Sequence, residues 1–125
     1  MFKKALVSLI FAIGLVIPAW AHAEEIKSFD VTAKIQEDAL VQVSEKIIYD
    51  FEGDSKHGIY RDIPTTKIND EGKTFRLTFE TQSVTDEFGK AYKWINDADS
   101  TTLHIRIGDP DVLVTGVKTY IIQYK

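Results

Sequence analysis

Residues 41–51 read VQVSEKIIYDF, in which apolar and polar side chains alternate with a period of two. This is the period of a β-strand, whose successive side chains point to opposite faces. We therefore predict a long strand with one apolar face, on which lie Val41, Val43, Ile47, Tyr49 and Phe51. Glu45 falls on the same face, so the strand turns one charged side chain inward.

The same alternation recurs outside this strand. It is found at residues 29–35, 75–79, 103–107 and 120–124, and a short strand is predicted around Tyr92 and Trp94. Short polar turns separate most of these stretches, and no convincing amphipathic helix is visible. Connections this short exclude the crossover helices of an α/β fold. The sequence thus predicts an all-β fold, an antiparallel β-sandwich of immunoglobulin-like type with about six to eight strands.

One long segment, Glu52–Lys73, lacks a clear pattern, and we predict an irregular loop there. Loops of about 20 residues are uncommon in compact domains and are often functional. Ile59, Tyr60 and Ile63 are expected to hold the middle of this loop against the sandwich, and Pro64 to end that segment. The loop is therefore the expected working surface of the domain.

Length and composition fit one small globular domain. The chain has 125 residues, 44% hydrophobic and 27% charged, with seven Phe, five Tyr and two Trp available for a core. It contains no cysteine. Disulfides, a thiol nucleophile and any zinc or iron–sulfur site built on cysteine are therefore excluded.

The first 23 residues have the layout of a secretory signal peptide. Two lysines are followed by an uncharged apolar run over residues 5–17, by Pro18, and by Ala21-His22-Ala23 with small residues at the cleavage positions. The apolar run spans roughly 20 Å as a helix, which is short of the roughly 30 Å core of a bilayer. We predict cleavage after Ala23 and a mature domain over residues 24–125. Its location would be the periplasmic, extracytoplasmic side of a bacterial cell membrane.

The mature chain is acidic. It keeps 13 of the 15 basic residues and all 19 acidic ones, which gives a net charge of −6. This balance disfavours nucleic acid and anionic lipid headgroups as direct partners.

Three separated motifs carry a family resemblance. They are HGIYRDIP at residues 57–64, preceded by VSEKIIYDF at residues 43–51; IRIG at residues 105–108; and GVKTYIIQY at residues 116–124. In this order they resemble the family catalogued as domain of unknown function 2207 (DUF2207). That family comprises predicted bacterial and archaeal membrane proteins with an extracytoplasmic N-terminal domain. One departure is Asp38-Ala39, where the family usually has Asp-Gly in the first turn.

The resemblance implies that residues 24–125 are the N-terminal part of a longer membrane protein, which associates with the membrane only through residues beyond 125. The expected partner is then the remainder of that protein or another envelope protein. The resemblance supplies no activity, substrate or catalytic residue, and we expect no cofactor.

Glu45 and Arg61 form the first candidate site. A carboxylate on an apolar face must be paired, protonated or directed into a gap in the core, and Arg61 is the nearest attractive partner in the pattern. We expect a structural ion pair that fastens the long loop to the sheet; the alternative is a ligand pocket that uses both groups. The candidate interaction loop consists of His57, Ile59, Tyr60, Arg61 and Asp62.

Four acidic residues in turns are weak candidates for calcium binding: Asp97, Asp99, Asp109 and Asp111. The fifth predicted strand separates the two pairs by roughly 23 Å, and neither pair matches the twelve-residue EF-hand loop. Aspartates in turns commonly accept hydrogen bonds from their own backbone instead. We therefore predict no metal site.

The sequence contains no catalytic motif. The mature chain has two histidines, His57 and His104, but no nucleophile elbow, His-Glu-x-x-His helix or phosphate-binding glycine loop. Tyr60, Tyr92 and Trp94 are candidates for an exposed platform that binds sugar or peptide, although at least two of them are expected in the core. We read Tyr120 as a structural residue.

These observations favour a non-catalytic, extracytoplasmic sensing or interaction domain of a membrane protein. The alternative is a free periplasmic β-sandwich protein that binds carbohydrate or peptide, and an enzyme is the third possibility.

Overall fold

The computed structural model describes residues 23–125, and the predicted signal peptide, apart from Ala23, lies outside the described residues. Nine β-strands and no helix form the secondary structure of this range. The strands are β1 (Glu25–Ile35), β2 (Val41–Asp50), β3 (Gly58–Pro64), β4 (Thr66–Ile68), β5 (Thr74–Arg76), β6 (Thr81–Thr85), β7 (Trp94–Ala98), β8 (Thr102–Gly108) and β9 (Val117–Tyr124). Between residues 23 and 125 there is thus no helix long and apolar enough to cross a membrane.

The strands form three antiparallel sheets. A four-stranded sheet has the order β1-β2-β9-β6, a three-stranded sheet has the order β3-β8-β7, and β4 pairs with β5 in a small hairpin. The predicted all-β class and antiparallel pairing are confirmed.

The two larger sheets share one hydrophobic core. Its members come from β2, β6 and β9 of the first sheet and from β3 and β8 of the second, together with Phe51 just after β2. They are Ile47, Phe51, Ile59, Ile63, Val84, Leu103, Ile105, Ile107, Tyr120, Ile122 and Tyr124. The inner faces of the two sheets therefore pack against each other and are buried from water. This burial of apolar surface is the main contribution to the stability of the fold.

The predicted irregular loop over Glu52–Lys73 is wrong, because both β3 and β4 lie within it. In β3, Ile59 and Ile63 are buried, whereas the residues beside them along the strand are more exposed. The sequence conceals this alternation because Arg61, a charged residue, occupies the inward position between the two isoleucines. The strand forms nevertheless, since its backbone pairs with β8 along its whole length.

Two further differences concern the middle of the chain. The strand predicted over residues 75–79 is reduced to β5, and residues 77–80 belong to no strand. Conversely, β6 was not predicted, because its sequence TQSVT has a single large apolar residue, Val84. Val84 is buried, and β6 pairs with β9. The conformation of β6 is therefore fixed by pairing with β9 rather than by its own sequence pattern.

Two glycines allow β3 and β8 to approach each other closely. Gly58 and Gly108 are directly opposite in the register, with φ angles of 149° and 135°. A Cβ atom on Gly58 would lie 1.8 Å from the carbonyl oxygen of Ile107, and one on Gly108 would lie 1.9 Å from the carbonyl oxygen of His57. Both positions therefore require the absence of a side chain.

We predict that Gly108→Ala destabilises the domain by at least about 1–3 kcal/mol, the cost of a strained backbone, because the added methyl group meets backbone that cannot move away cheaply. Gly53→Ala is the matched control: its Cβ would have no atom within 4 Å, and we expect a change within about 1 kcal/mol. Urea denaturation of both variants measures the free energies of unfolding. Equal stability of the two would contradict the close approach described here.

Candidate functional site

Glu45 is a charged side chain at the centre of the core. It lies on the inner face of β2 and is only 2% exposed. Its Oε1 atom accepts hydrogen bonds from Arg61 Nη2 at 2.7 Å and from the Tyr124 hydroxyl at 2.9 Å. Its Oε2 atom accepts a hydrogen bond from Arg61 Nε at 2.7 Å. Both carboxylate oxygens are therefore bonded without water.

Arg61 reaches this carboxylate from the opposite sheet. It occupies an inward position of β3, and its guanidinium group lies over the ring of Phe29, 5.3 Å from the centroid. The Arg61 side chain is 24% exposed. The hydrogen bonds to Glu45 are the main cause that raises the pKa of Arg61 above its usual value. The two-pronged pair thus joins β2 to β3 across the core.

Tyr124 completes the cluster from β9. Burial is the first cause that raises the pKa of its phenol to about 12, and the hydrogen bond to Glu45 is the second. The hydroxyl therefore stays protonated at neutral pH and donates to the carboxylate. One buried charge is balanced by one opposite charge and one neutral donor, which is the arrangement that makes a buried carboxylate tolerable.

An open groove of about 320 Å³ lies beside this pair, between β1 and β3. The four-stranded sheet contributes Ile26, Phe29, Ile47 and Tyr49, and β3 contributes Ile59, Tyr60, Arg61 and Asp62. The exposed part of Arg61 is directed toward this groove, so the pair is at once a link between the sheets and part of a surface. A structural role and a ligand-binding role for the Glu45–Arg61 pair both stay predictions.

The five residues of the predicted interaction loop have different environments, although Ile59, Tyr60, Arg61 and Asp62 all line the groove. His57 precedes β3, and its Nδ1 atom lies 3.1 Å from the carbonyl oxygen of Val112. Ile59 belongs to the core, whereas Arg61 joins Glu45. Only Tyr60, which is 72% exposed, and Asp62 face solvent from the outer side of β3.

That outer side carries an ionic cluster that the sequence did not indicate. His104 of β8 has its Nδ1 atom 2.7 Å from Asp62 Oδ1 and its Nε2 atom 3.4 Å from Asp99 Oδ2. The hydrogen bond with Asp62, followed by that with Asp99, raises the pKa of His104. Asp62 and His104 are 42 residues apart, and only the β3–β8 register places them opposite each other.

The four calcium candidates are placed mostly as turn residues. Asp99 Oδ1 accepts hydrogen bonds from the backbone amides of Thr101 and Thr102, each at 2.7 Å, and these bonds are the first causes that lower its pKa to about 2. Asp109 accepts a hydrogen bond from the amide of Asp111 and forms an ion pair with Lys93. Asp97 lies opposite His104 in the β7–β8 register. Across residues 23–125, no three acidic or histidine side chains converge as metal ligands.

The aromatic candidates separate in the same way. Tyr92 and Trp94 pack against the core as partly buried side chains, and the Tyr92 hydroxyl donates to the carbonyl oxygen of Thr119 at 3.1 Å. Tyr120 is buried, with its ring 4.8 Å from that of Tyr92. Tyr60 alone of the three platform candidates is strongly exposed.

We predict that Glu45→Ala lowers the free energy of unfolding by about 3–5 kcal/mol, since it leaves the guanidinium of Arg61 half-buried without its partner. Tyr124→Phe removes one hydrogen bond and keeps the ring, so we expect a smaller loss of about 1–2 kcal/mol. Thermal and urea denaturation measure both. A melting temperature of Glu45→Ala equal to that of the unsubstituted chain would contradict a structural role for the pair.

We predict a histidine-linked pH dependence of stability. Because the folded-state pKa of His104 is raised above its usual 6.5, its stabilising contribution is complete below about pH 6.5 and is lost as pH rises through the folded-state value. Asp62→Asn should lower the pKa of His104, whereas Asp30→Asn, on β1, should leave it unchanged. An NMR titration of the imidazole tests this. An equal pKa in all three proteins would contradict the contact.

Comparison with known proteins shows which family this chain belongs to. The family profile described as "Predicted membrane protein (DUF2207) N-terminal domain" matches residues 25–125. The relative named "Uncharacterized protein YciQ", from Escherichia coli (strain K12), is 31% identical over 120 residues, which cover 94% of this chain and 18% of that protein. The chain thus spans less than one fifth of the length of this relative. No solved structure matches the chain. The resemblance of the motifs is confirmed: the chain belongs to the DUF2207 family of predicted membrane proteins, as their N-terminal domain.

Proposed function

We propose that this domain is a non-catalytic sensing or interaction domain on the extracytoplasmic side of a membrane protein. The observation that carries the proposal is the inner face of β1. This strand directs its apolar side chains to the same face as the core residues of β2, because Phe29 pairs with Ile47 and Val31 with Glu45 in the register. Phe29 and Val31 are nevertheless 48% and 54% exposed, whereas Ile47 is 4% exposed.

An apolar face of this kind favours a partner. β1 adds Ile26 and Ile35 to the same row, and both are more than half exposed. A contiguous apolar surface on a folded domain commonly marks a contact with another protein, a membrane or a ligand. The family match, to the N-terminal domain of a predicted membrane protein, favours the rest of such a protein as the partner; another envelope protein is the alternative. The predicted signal peptide supports the extracytoplasmic side.

The proposal predicts a covered β1 face in the full-length family protein. Cysteine is absent from this chain, so single substitutions can report accessibility. We expect Val31→Cys to react slowly with a membrane-impermeant maleimide in spheroplasts that carry the full-length protein freed of other cysteines. Thr32→Cys, on the outer face of the same strand, is the matched control and should react fast.

A second cysteine variant tests on which side of the membrane the domain lies, independently of whether the β1 face is covered. Glu87 is exposed in the turn after β6, so Glu87→Cys should be labelled in intact spheroplasts to the same extent as after lysis. Labelling of Glu87→Cys only after lysis would contradict the extracytoplasmic location. Equal, fast labelling of Val31→Cys and Thr32→Cys would contradict the interaction role.

A free periplasmic protein that binds carbohydrate or peptide is the second candidate. The outer face of the three-stranded sheet favours it, because exposed Tyr60 lies beside Arg106 in the β3–β8 register and Ile95 lies on the other side of Arg106. An exposed aromatic ring beside a hydrogen-bond donor suits a sugar ring or a peptide. Binding of residues 24–125 to a glycan or peptide array would favour this candidate.

The immunoglobulin-like sandwich also stays a prediction. The single core shared by two antiparallel sheets supports a sandwich.

A further inference from the structure

We propose that a β-strand from the part of the full-length protein outside residues 23–125 completes the three-stranded sheet. This strand pairs with the free edge of β3 and covers the inner face of β1. The inference rests on the proposed interaction role and specifies how that interaction is built.

The first observation is an unequal pair of sheets. Four strands stand on one side of the core and three on the other. In the three-stranded sheet β8 is central, so β3 pairs with β8 only and keeps one edge without a strand neighbour among residues 23–125. An edge of this kind offers a row of backbone donors and acceptors to an added strand.

The second observation is the place of the uncovered apolar surface. In the four-stranded sheet β1 is the outermost strand beside β2, and its inner face turns toward the side where the other sheet lies. Exposure rises along it from 48% at Phe29 to 82% at Ile35. A fourth strand in the opposite sheet, beside β3, is the element that would cover this row.

The third observation joins the first two. The groove of about 320 Å³ has residues of β1 and β2 on one wall and consecutive residues of β3 on the other. Arg61 links these walls, because it lies on β3, pairs with Glu45 of β2 and stacks over Phe29 of β1. A strand paired with β3 would lie about 4.8 Å from it and, at the usual sheet spacing of about 10 Å, would stand over this groove.

The groove specifies the chemistry of the added strand. The amide of Thr65, just after β3, donates to the carbonyl oxygen of Thr101, so the odd-numbered residues of β3 bond to β8 and Gly58, Tyr60, Asp62 and Pro64 face the free edge. Pro64 has no amide hydrogen and the carbonyl oxygen of Asp62 already accepts from Arg61 Nη1, so three amides and three carbonyls are available to an added strand. Side chains that face β1 in this groove must be apolar, because they meet Ile26 and Phe29. A side chain close to Arg61 can be polar, since the guanidinium keeps part of its exposure there.

We assign this strand to the same polypeptide for two reasons. The matched region is only 18% of the Escherichia coli relative and is described as an N-terminal domain, so the family has much further chain that is tethered to this domain. A tether raises the effective concentration of a segment well above that of a free partner. By contrast, a second copy that paired through the edge of β1 would extend the four-stranded sheet and leave the groove open.

Hydrogen exchange measured by mass spectrometry on the full-length family protein and on residues 24–125 tests the inference. We expect exchange of the β3 amides that face its free edge, those of Gly58, Tyr60 and Asp62, to slow by about tenfold or more in the full-length protein. The control is β7, the other edge strand of the same sheet, whose exchange should not change.

Three results would overturn the inference. Unchanged exchange of β3 together with slow labelling of Val31→Cys would mean that the β1 face is covered without strand addition, and the interaction role would stand. Equal slowing of β3 and β7 would mean general stabilisation of the domain. Slowing of β3 exchange in residues 24–125 that increases with protein concentration would identify a second copy as the occupant.

Discussion

The pairing of Glu45 with Arg61 is the interaction on which this structure depends. A carboxylate that is 2% exposed cannot remain charged in an apolar core without a partner, and the partner must come from the opposing sheet. Arg61 supplies two hydrogen bonds in the fork geometry that suits a carboxylate. Because these bonds have narrow limits of distance and direction, they fix the position of β3 relative to β2 while the surrounding isoleucines provide most of the burial.

This constraint also explains the surface. Arg61 must point inward to meet Glu45, and this places β3 opposite β2, next to the groove. The free edge of β3 then faces the side of the domain on which β1 is uncovered. The domain therefore has a complete core around β2, β8 and β9 and an incomplete margin around β1. A margin of this kind is unfavourable in an isolated domain and favourable in a domain that packs against further chain.

Much of the fold follows from the sequence, and the exceptions have a common cause. The strands β1, β2, β8 and β9 are recognisable because most of their apolar side chains recur at every second position. The segment of β3 does not look like a strand because its inward positions include a charge, and β6 does not because one valine is its whole contribution to the core. In both, pairing with a neighbouring strand outweighs the local pattern.

The candidate site divides along the same line. A charge on an apolar strand face demands a partner, so Glu45 could be singled out from the alternation around it. The contact of His104 with Asp62 could not, because it depends on a register between strands that the sequence does not reveal. The uncovered face of β1 has no sequence signal either, since the strand reads as an ordinary half-buried one.

The most direct measurement is a double-mutant cycle with Glu45→Gln, Arg61→Met and the combined variant, followed by urea denaturation. Because the two side chains bond directly across the core, the account predicts a coupling energy of at least about 2 kcal/mol. Additive effects, with a coupling within about 0.5 kcal/mol of zero, would contradict it, since they would show that the two sheets are held in place without this pair.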